Sequence, residues 1–508
     1  MLLHHNFELA ARRLPDKLAL VSGTQRLSYR ELQQQVHTLA QTLRSDGVVA
    51  SDRVLVLLEN SVEFAVALHA VLALGATFVP VSPMAKPDKL RFIAADAQAR
   101  ALLTHAQLAT TWTPLIEQAA GAIVCRVAGD LAKLAPRPQV RAWPSAETSA
   151  ETIDATCTEE DLAALIYTSG TTGVPKGVML SHRNLVSARA SVQAYMGMRE
   201  DDVIGLALPA AFSYGLSNLL LGLGLGATVV LDRWAAFPVK LLETLQRERV
   251  TVFPGVPTLF GAVLELQNLA RFDLSAIRLI TNAAAALPEQ HLHRLRAAFP
   301  KASVFSMYGL TECVRASYLP PEQLDEHPGS VGRGMPHQEH WLVDDEGLRL
   351  PDGSTGELVL RGPHVMRGYW NRPAETAERL RPGPLAGEHV LHTGDLFRSD
   401  AQGWLYFVAR RDDIIKSRGE KVAPREVENV IHELDAVTAC AVVGVADPAL
   451  GEAVKAYVTL RPGSAVVPRD IVKHCLARLE SYMVPKWVEI VDELPRTESG
   501  KIRHASLR

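Results

Sequence analysis

The sequence predicts an α/β protein in which a large N-terminal body, made of several α/β portions, precedes a small α+β domain. Three observations point there: β-type and helical stretches alternate along most of the chain, the pattern changes near Arg410, and 508 residues exceed what one hydrophobic core organises. The two parts are expected to be residues 1–411 and 412–508, the second large enough for a small domain.

The elements follow in order. Ser28 and Glu31 have the form of a capping box, so a helix starts there and continues through helically spaced apolar positions to Gln41. Short β-type runs at 53–58 and 77–81 flank a helical stretch, 61–74, that Gly75 closes. Strand-like runs return at 202–208, 227–231, 250–253 and 277–281, with helical stretches between them, as in a doubly wound layer. Residues 135–158 are rich in Pro, Ala, Ser and Thr without a period and read as a surface connection between two portions of the body. A turn-rich, strand-like stretch, 351–407, leads to the charged run Arg410-Arg411-Asp412-Asp413, which opens the last part.

Composition excludes several classes. With 47% hydrophobic and 21% charged residues the chain can bury large cores, so disorder is not its default. Its 53 Lys and Arg against 56 Asp and Glu leave a net charge of −3, too balanced to grip a polyanion, and nucleic acid is not expected as a partner. Cys125, Cys157, Cys313, Cys440 and Cys475 are scattered and contain no close pair of the zinc-binding kind, which fits a reduced cytoplasm. The N-terminus lacks the basic and apolar order of a secretory signal. The longest apolar run, 219–231, is shorter than the roughly 20 residues a transmembrane helix needs and reads as a buried helix-to-strand segment.

The most informative segment is Tyr167-Thr168-Ser169-Gly170-Thr171-Thr172-Gly173-Val174-Pro175-Lys176-Gly177, which follows an apolar strand-like run. Glycines let a backbone approach phosphate oxygens, hydroxyls donate to them, and Lys176 brings a mobile positive charge. Pro175 and Gly177 stand where a Walker A loop needs Gly and Ser or Thr, so this is a different phosphate loop. Together with Ser181-His182-Arg183-Asn184 it resembles the AMP-binding signature of the adenylate-forming superfamily, which comprises acyl- and aryl-CoA ligases, peptide-synthetase adenylation domains and beetle luciferases. The resemblance runs along essentially the whole chain, because Tyr308-Gly309-Leu310-Thr311-Glu312, Thr393-Gly394-Asp395, the stretch 410–428 and Pro495-Arg496-Thr497-Glu498-Ser499-Gly500-Lys501 follow in family order.

The resemblance implies the fold of adenylate-forming enzymes and a role for each motif. Thr168, Ser169, Gly170, Thr171, Thr172, Gly173 and Lys176 cradle the polyphosphate of ATP; Tyr308 lies against adenine; Thr311 reaches the α-phosphate; Glu312 holds Mg²⁺, a cation that prefers oxygen ligands. Asp395 accepts the ribose hydroxyls, Arg410 is the second ribose contact and Asp412 the hinge, although Ala409 replaces the family's usual glycine before that arginine. Lys501 is the adenylation lysine, bridging the attacking carboxylate and the α-phosphate, with Thr168 and Glu312 as its catalytic companions. Rotation of the small domain then withdraws Lys501 and presents the face around Gly419 to an incoming thiol.

The acyl pocket is expected at Phe212, Ser213, Tyr214, Gly215, Asn282, Ala283, Ala284 and Gly309. Phe212 stands where many CoA ligases have histidine, and Ser213 where amino-acid-activating relatives have aspartate. Without that aspartate a buried ammonium lacks its partner, so an α-amino acid is disfavoured and an uncharged acyl or aryl body is expected. The acceptor expected first is CoA; the phosphopantetheine of an acyl or peptidyl carrier protein is the second possibility, and a nucleotide-binding sensor without turnover is a third.

Overall fold

The computed structural model describes residues 1–119, 121–145, 153, 155–169, 174–233, 237–283, 287, 289–417, 420–447, 450–497 and 501–507. Of residues 169, 289, 290, 412, 421, 451 and 505 it describes the backbone course alone.

Two large sheets carry the body. In the nine-stranded sheet, Thr228–Leu231, Val203–Leu206, Val252–Gly255, Leu279–Asn282 and Ser303–Tyr308 run parallel, with antiparallel strands closing both edges. In the eight-stranded sheet, Leu162–Ser169, Thr77–Val81, Arg53–Leu57, Ala101–His105 and Val124–Ala128 are parallel, and Pro175–Ser181 turns back against Leu162–Ser169. Parallel strands need helices on both faces, which explains why the helix Val62–Ala73 is buried all round instead of along one stripe. A third, antiparallel sheet, with Glu339–Val343, Thr355–Arg361, His389–Ser399 and Leu405–Arg410, completes the body.

Beyond Arg411–Asp413, a fourth sheet of Ile415–Ser417, Glu420–Val422, Val437–Asp447, Gly451–Leu460 and Trp487–Ile490 packs with two helices, Pro424–His432 and Pro468–Leu476. These residues bury a core of their own, including Val427, Ile431, Val442, Val454 and Ile471. A separate core over so few residues is what a small domain requires.

Local chemistry explains the element ends. Ser28 accepts from the Glu31 amide and the Glu31 carboxylate accepts from the Ser28 amide at 2.7 Å, so the helix Tyr29–Ser45 begins where the capping box places it. Ser61 caps the next helix, and Gly75 follows its end with φ +70. The apolar run 219–231 divides as expected into the end of the helix Ser213–Leu225, a left-handed Gly226 and the strand Thr228–Leu231. Among the described residues no helix is long and apolar enough to cross a membrane.

Two expectations are revised. The strand expected at 250–253 lies at Val252–Gly255, displaced because it pairs with Leu279–Asn282 through Pro254 and Gly255, residues that a propensity reading treats as breakers. The connection 135–158 contains a three-residue strand, Val140–Ala142, which adds to the sheet edge at Val124–Ala128 and is too short to show a period.

Candidate active site

The candidate site lies beyond the C-terminal ends of the parallel strands, where open α/β sheets bind ligands. Ser303–Tyr308 ends at Tyr308, whose hydroxyl donates to Asp395 Oδ2 at 2.6 Å, so the first large sheet is joined there to the third. Asp395 pairs in register with Arg410 on the neighbouring strand, with Arg410 Nε 3.5 Å from Asp395 Oδ1. The turn that presents Asp395 is held at three points. Thr393 donates to the Leu358 carbonyl at 2.8 Å, the Gly394 amide donates to Glu357 Oε1 at 2.8 Å, and the Asp395 amide donates to Thr393 Oγ1 at 3.2 Å. Gly394 has φ +72, and a Cβ there would collide with the Arg379 guanidinium.

Burial raises the Asp395 pKa and Glu312 adds to the rise, while Arg410, the Tyr308 hydrogen bond and Arg379 oppose it. The Tyr308 phenol is pushed well above its ordinary value, first by burial and then by the Asp395 charge. Asp395 is thus an acceptor whose own pair of neighbours, a phenol and a guanidinium, keeps its negative charge in a buried position.

Glu312 is placed by the chain around it. Its carboxylate accepts from the Tyr369 hydroxyl at 2.8 Å and its carbonyl accepts from the Met366 amide at 2.8 Å. The Met366 segment is in turn tied to the helix His182–Met196. Ser181 and Asn184 form that helix's capping box, and the Asn184 amide donates to the Pro363 and Val365 carbonyls at 2.7 Å each. The motif Ser181–Asn184 therefore serves as a scaffold for Glu312.

The described residues of the phosphate-loop motif lie at the paired ends of Leu162–Ser169 and Pro175–Ser181, where Thr168 pairs with Lys176. Tyr167 anchors the hairpin by donating to Asp96 at 2.6 Å, and Asp96 also pairs with Arg372 at 3.0 Å. Lys176 Nζ lies 5.7 Å from the ring centroid of Tyr369, on the side of the site where Glu312 meets the same tyrosine. Gly170, Thr171, Thr172 and Gly173 lie outside the described residues, as does the Ser169 side chain.

Lys501 reaches this cluster from the far end of the chain. Its segment is held by a bond from the Thr497 amide to the Lys501 carbonyl at 2.6 Å and another from the Lys501 amide to Thr497 Oγ1 at 3.1 Å. Lys501 keeps much of its surface open to the cleft, yet the protein around its ammonium is dense enough that desolvation lowers its pKa. Asp395 opposes that shift, Arg410 adds to it and Glu312 opposes it. Residues far apart in sequence thus act on one another within a single cleft. Of the hinge expected at Asp412 the structure describes the short turn Arg411–Asp413, and Gly419 lies outside the described residues.

Ser213 Oγ is 3.3 Å from Thr311 Oγ1. Phe212 precedes the helix Ser213–Leu225, and Gly215 packs so tightly under Pro209 that no side chain would fit. Tyr214 donates to the Thr281 carbonyl at 2.9 Å, close to the buried Asn282 and Ala283. Gly309 faces the Arg315 backbone, where an added Cβ would come within 2.9 Å. Ala284 lies outside the described residues. An apolar cavity continues from Ser213 and Ser217 between the helices His182–Met196 and Ser213–Leu225. Tyr369, Glu357, Arg379 and Arg315 escaped the sequence reading; each meets its partner through tertiary pairing, with no spacing signal to connect them.

This arrangement, paired strands carrying Thr168 and Lys176, a carboxylate held by a phenol and an arginine, and a lysine from the C-terminal segment, fits an ATP-dependent acid-activating enzyme. Residues 7–370 match the AMP-binding enzyme family and residues 426–501 the AMP-binding enzyme C-terminal domain, and the chain belongs to this family. It is similar to a long-chain-fatty-acid–CoA ligase of Escherichia coli, with 32% identity covering 99% of this chain and 93% of that protein. A feruloyl-CoA synthase of Amycolatopsis is 34% identical over 98% of this chain and 96% of its own length. Among solved structures, an anthranilate CoA ligase in complex with anthranoyl-AMP superposes with a TM-score of 0.88 at 28% identity, over 100% of this chain and 96% of that one. The chain is an AMP-forming acid–thiol ligase: it activates a carboxylic acid with ATP and passes the acyl group to a thiol.

Proposed function

We propose that the thiol is CoA and that the chain is an acyl- or aryl-CoA ligase whose two half-reactions share the cleft described above. What supports this reading most is that Lys501, from the C-terminal segment, lies within electrostatic reach of Asp395, Arg410 and Glu312, as a cation that bridges a carboxylate and the α-phosphate of ATP would have to.

In the first half-reaction a carboxylate oxygen of the substrate attacks the α-phosphorus, the bond to the β-phosphate bridging oxygen breaks, and pyrophosphate leaves. Lys501 lies between the two anions and offsets the charge that grows on the transferring oxygens. Asp395 accepts the ribose hydroxyls and Arg410 supports it; Thr168, Thr311 and Lys176 contact phosphate oxygens. Glu312, an oxygen donor that meets the same Tyr369 as Lys176, suits Mg²⁺, which would neutralise polyphosphate charge there. In the second half-reaction the domain of residues 412–508 turns about Asp412, Lys501 withdraws, and the face containing Gly419 lines the approach of the thiol. Its sulfur attacks the acyl carbon, the bond to the phosphate oxygen breaks, AMP leaves and the thiol proton passes to solvent. A reduced cytoplasmic setting is part of this reading, supported by five cysteines that remain thiols.

Pyrophosphate release with MgATP, measured over a panel of acids with and without CoA, tests the reading. Acid-dependent release with acyl-CoA as product is the expected result. Release that ignores CoA but loads a phosphopantetheinylated carrier protein would replace the acceptor, and no release with any acid would overturn the assignment of the site.

A further inference from the structure

Two guanidiniums, one lining the apolar cavity and one directly behind its lining residues Ser217 and Val314, have no carboxylate partner among the described residues. Arg315 is 3% exposed. Its terminal nitrogen donates to Ser217 Oγ over a long 3.5 Å, its Cζ sits 4.6 Å from the Tyr214 ring centroid, and its Nε has no hydrogen-bond partner. Arg189, on the helix His182–Met196, lines the cavity itself. It donates only to amide oxygens, Gln193 Oε1 at 3.0 Å and Asn6 Oδ1 at 2.8 Å, and its Nε is likewise without a partner. Among the described residues no carboxylate pairs with either one. Elsewhere in the fold, partly buried arginines are neutralised: Arg126 pairs with Asp46, Arg278 with Asp202 and Arg361 with Glu388.

A buried guanidinium without a counter-charge costs stability unless something in the working enzyme offsets it. Cation–π contact with Tyr214 supplies part of the compensation, and the Ser217 hydroxyl a little more. Arg315 borders the cavity through Ser217, its hydroxyl partner, and Val314, its chain neighbour, both of which line it, and its Nε–H is still without an acceptor. The backbone is specialised to present it: Val314, a β-branched residue, adopts φ +63, and the Gly309 backbone packs directly on Arg315.

Position along the helix Ser213–Leu225 says what the guanidinium meets. Ser213 touches Thr311 at the nucleotide end. Ser217 is one turn further, about 6 Å along the axis. Arg189 lies against Gly224, about 16 Å along it. Arg315 therefore stands a few bonds beyond the reacting carboxyl of any bound acid, and Arg189 lies near the far end of the cavity. A planar fork at that distance suits a second carboxylate, which it can bind bidentately.

We propose, resting on the ligase reading above, that the acid activated here is a dicarboxylic acid, one carboxylate going to the α-phosphate and the other to Arg315. This proposal departs from the expectation of an uncharged acyl body, drawn from Ser213 and the alanines after Asn282, because of the unpaired Arg315 beside the otherwise apolar lining. The same charge repels an ammonium group, in keeping with the absence of aspartate at Ser213.

The test compares kcat/KM for a length series of straight-chain α,ω-dicarboxylic acids with monocarboxylic acids of the same length, by pyrophosphate release and acyl-CoA formation, in the native enzyme, Arg315→Met and Arg315→Lys. The native enzyme should prefer the diacid by on the order of 10²-fold or more, as sites built to pair a polar group reject partners that lack it. Arg315→Met should remove most of that ratio and Arg315→Lys should retain part of it. A rise in Tm with AMP in both variants checks that they fold. Equal use of the two series by the native enzyme would overturn the distal-anion site and leave the ligase reading standing, as would an equal loss of both series in Arg315→Met. Failure of both series to form acyl-AMP would overturn the ligase reading and this inference with it.

Discussion

Tyr308 and Asp395, 87 residues apart, share a 2.6 Å hydrogen bond that connects the last parallel strand of one sheet to the central hairpin of another. Burial disfavours the charged carboxylate of Asp395, and Arg410 first and the Tyr308 hydroxyl second oppose that effect, so the acceptor proposed for the ribose depends on both neighbours.

Asp395→Ala should weaken ATP binding about 10- to 100-fold, the worth of hydrogen bonds to a charged acceptor at about 1.5–3 kcal/mol. Titration calorimetry with AMP or a non-hydrolysable ATP analogue measures it. An unchanged affinity removes the ribose assignment.

The pH dependence of nucleotide binding has a definite sign. Burial raises the Asp395 pKa, so protonation, which removes an acceptor, sets in at higher pH than for an ordinary aspartate, and affinity falls as pH drops through that raised value. Tyr308→Phe deletes a contact that favours the charged form and should move the fall to still higher pH. A profile that stays in place, measured with AMP across the acidic range, contradicts the pairing.

Lys501→Ala should lower acyl-AMP formation by about 10²–10³-fold, the usual effect of deleting one preorganised charge stabiliser. Thioester formation from supplied acyl-AMP should be largely kept. Separate single-turnover measurements of the two half-reactions check this, and equal loss in both would contradict the role given to the lysine.

Acid should loosen the N-terminal part of the body. Burial holds His4 at about 3, with His5, His182 and His69 adding to the shift; it holds His69 at about 3 and His182 at about 4. The unfolded chain takes up protons below pH 6.5 and the folded chain does not, so stability is full above that pH and declines as pH falls toward 4. The slope is up to about 1.4 kcal/mol per pH unit for each histidine. Denaturant midpoints from pH 7 to 4 measure it, and His69→Leu should flatten the decline.

Tyr29→Phe isolates one buried hydrogen bond. The Tyr29 hydroxyl donates to the Ala227 carbonyl at 2.7 Å and also approaches the Leu223 carbonyl at 3.2 Å, closing the first long helix onto the turn around Gly226. Its loss should cost about 1–3 kcal/mol by chemical denaturation. Activity should follow the folded fraction alone.

Much of the fold can be read from local chemistry. Ser28 with Glu31, Ser61 with Gly75, and Gly226 between an apolar helix and an apolar strand act within a few residues of themselves, so their elements appear where the pattern places them. Val252–Gly255 was displaced because Pro254 and Gly255 are kept in the strand by neighbouring strands, a long-range pairing that propensity does not contain.

The site divides along the same line. The order of residues from Thr168 to Lys176, at Tyr308–Glu312, at Thr393–Asp395 and at Lys501 was enough to show the resemblance to adenylate-forming enzymes and, through it, the reaction class. The sequence could not reveal that Tyr369 meets Glu312, that Glu357 and Arg379 surround Gly394, or that Arg189 lines a cavity also lined by Ser217, the partner of Arg315. These relationships join residues from separate sheets and helices. Backbone propensities and capping act over a few residues and can be read along the chain, whereas the charge left unpaired in a cavity depends on which surfaces the folded sheets bring together.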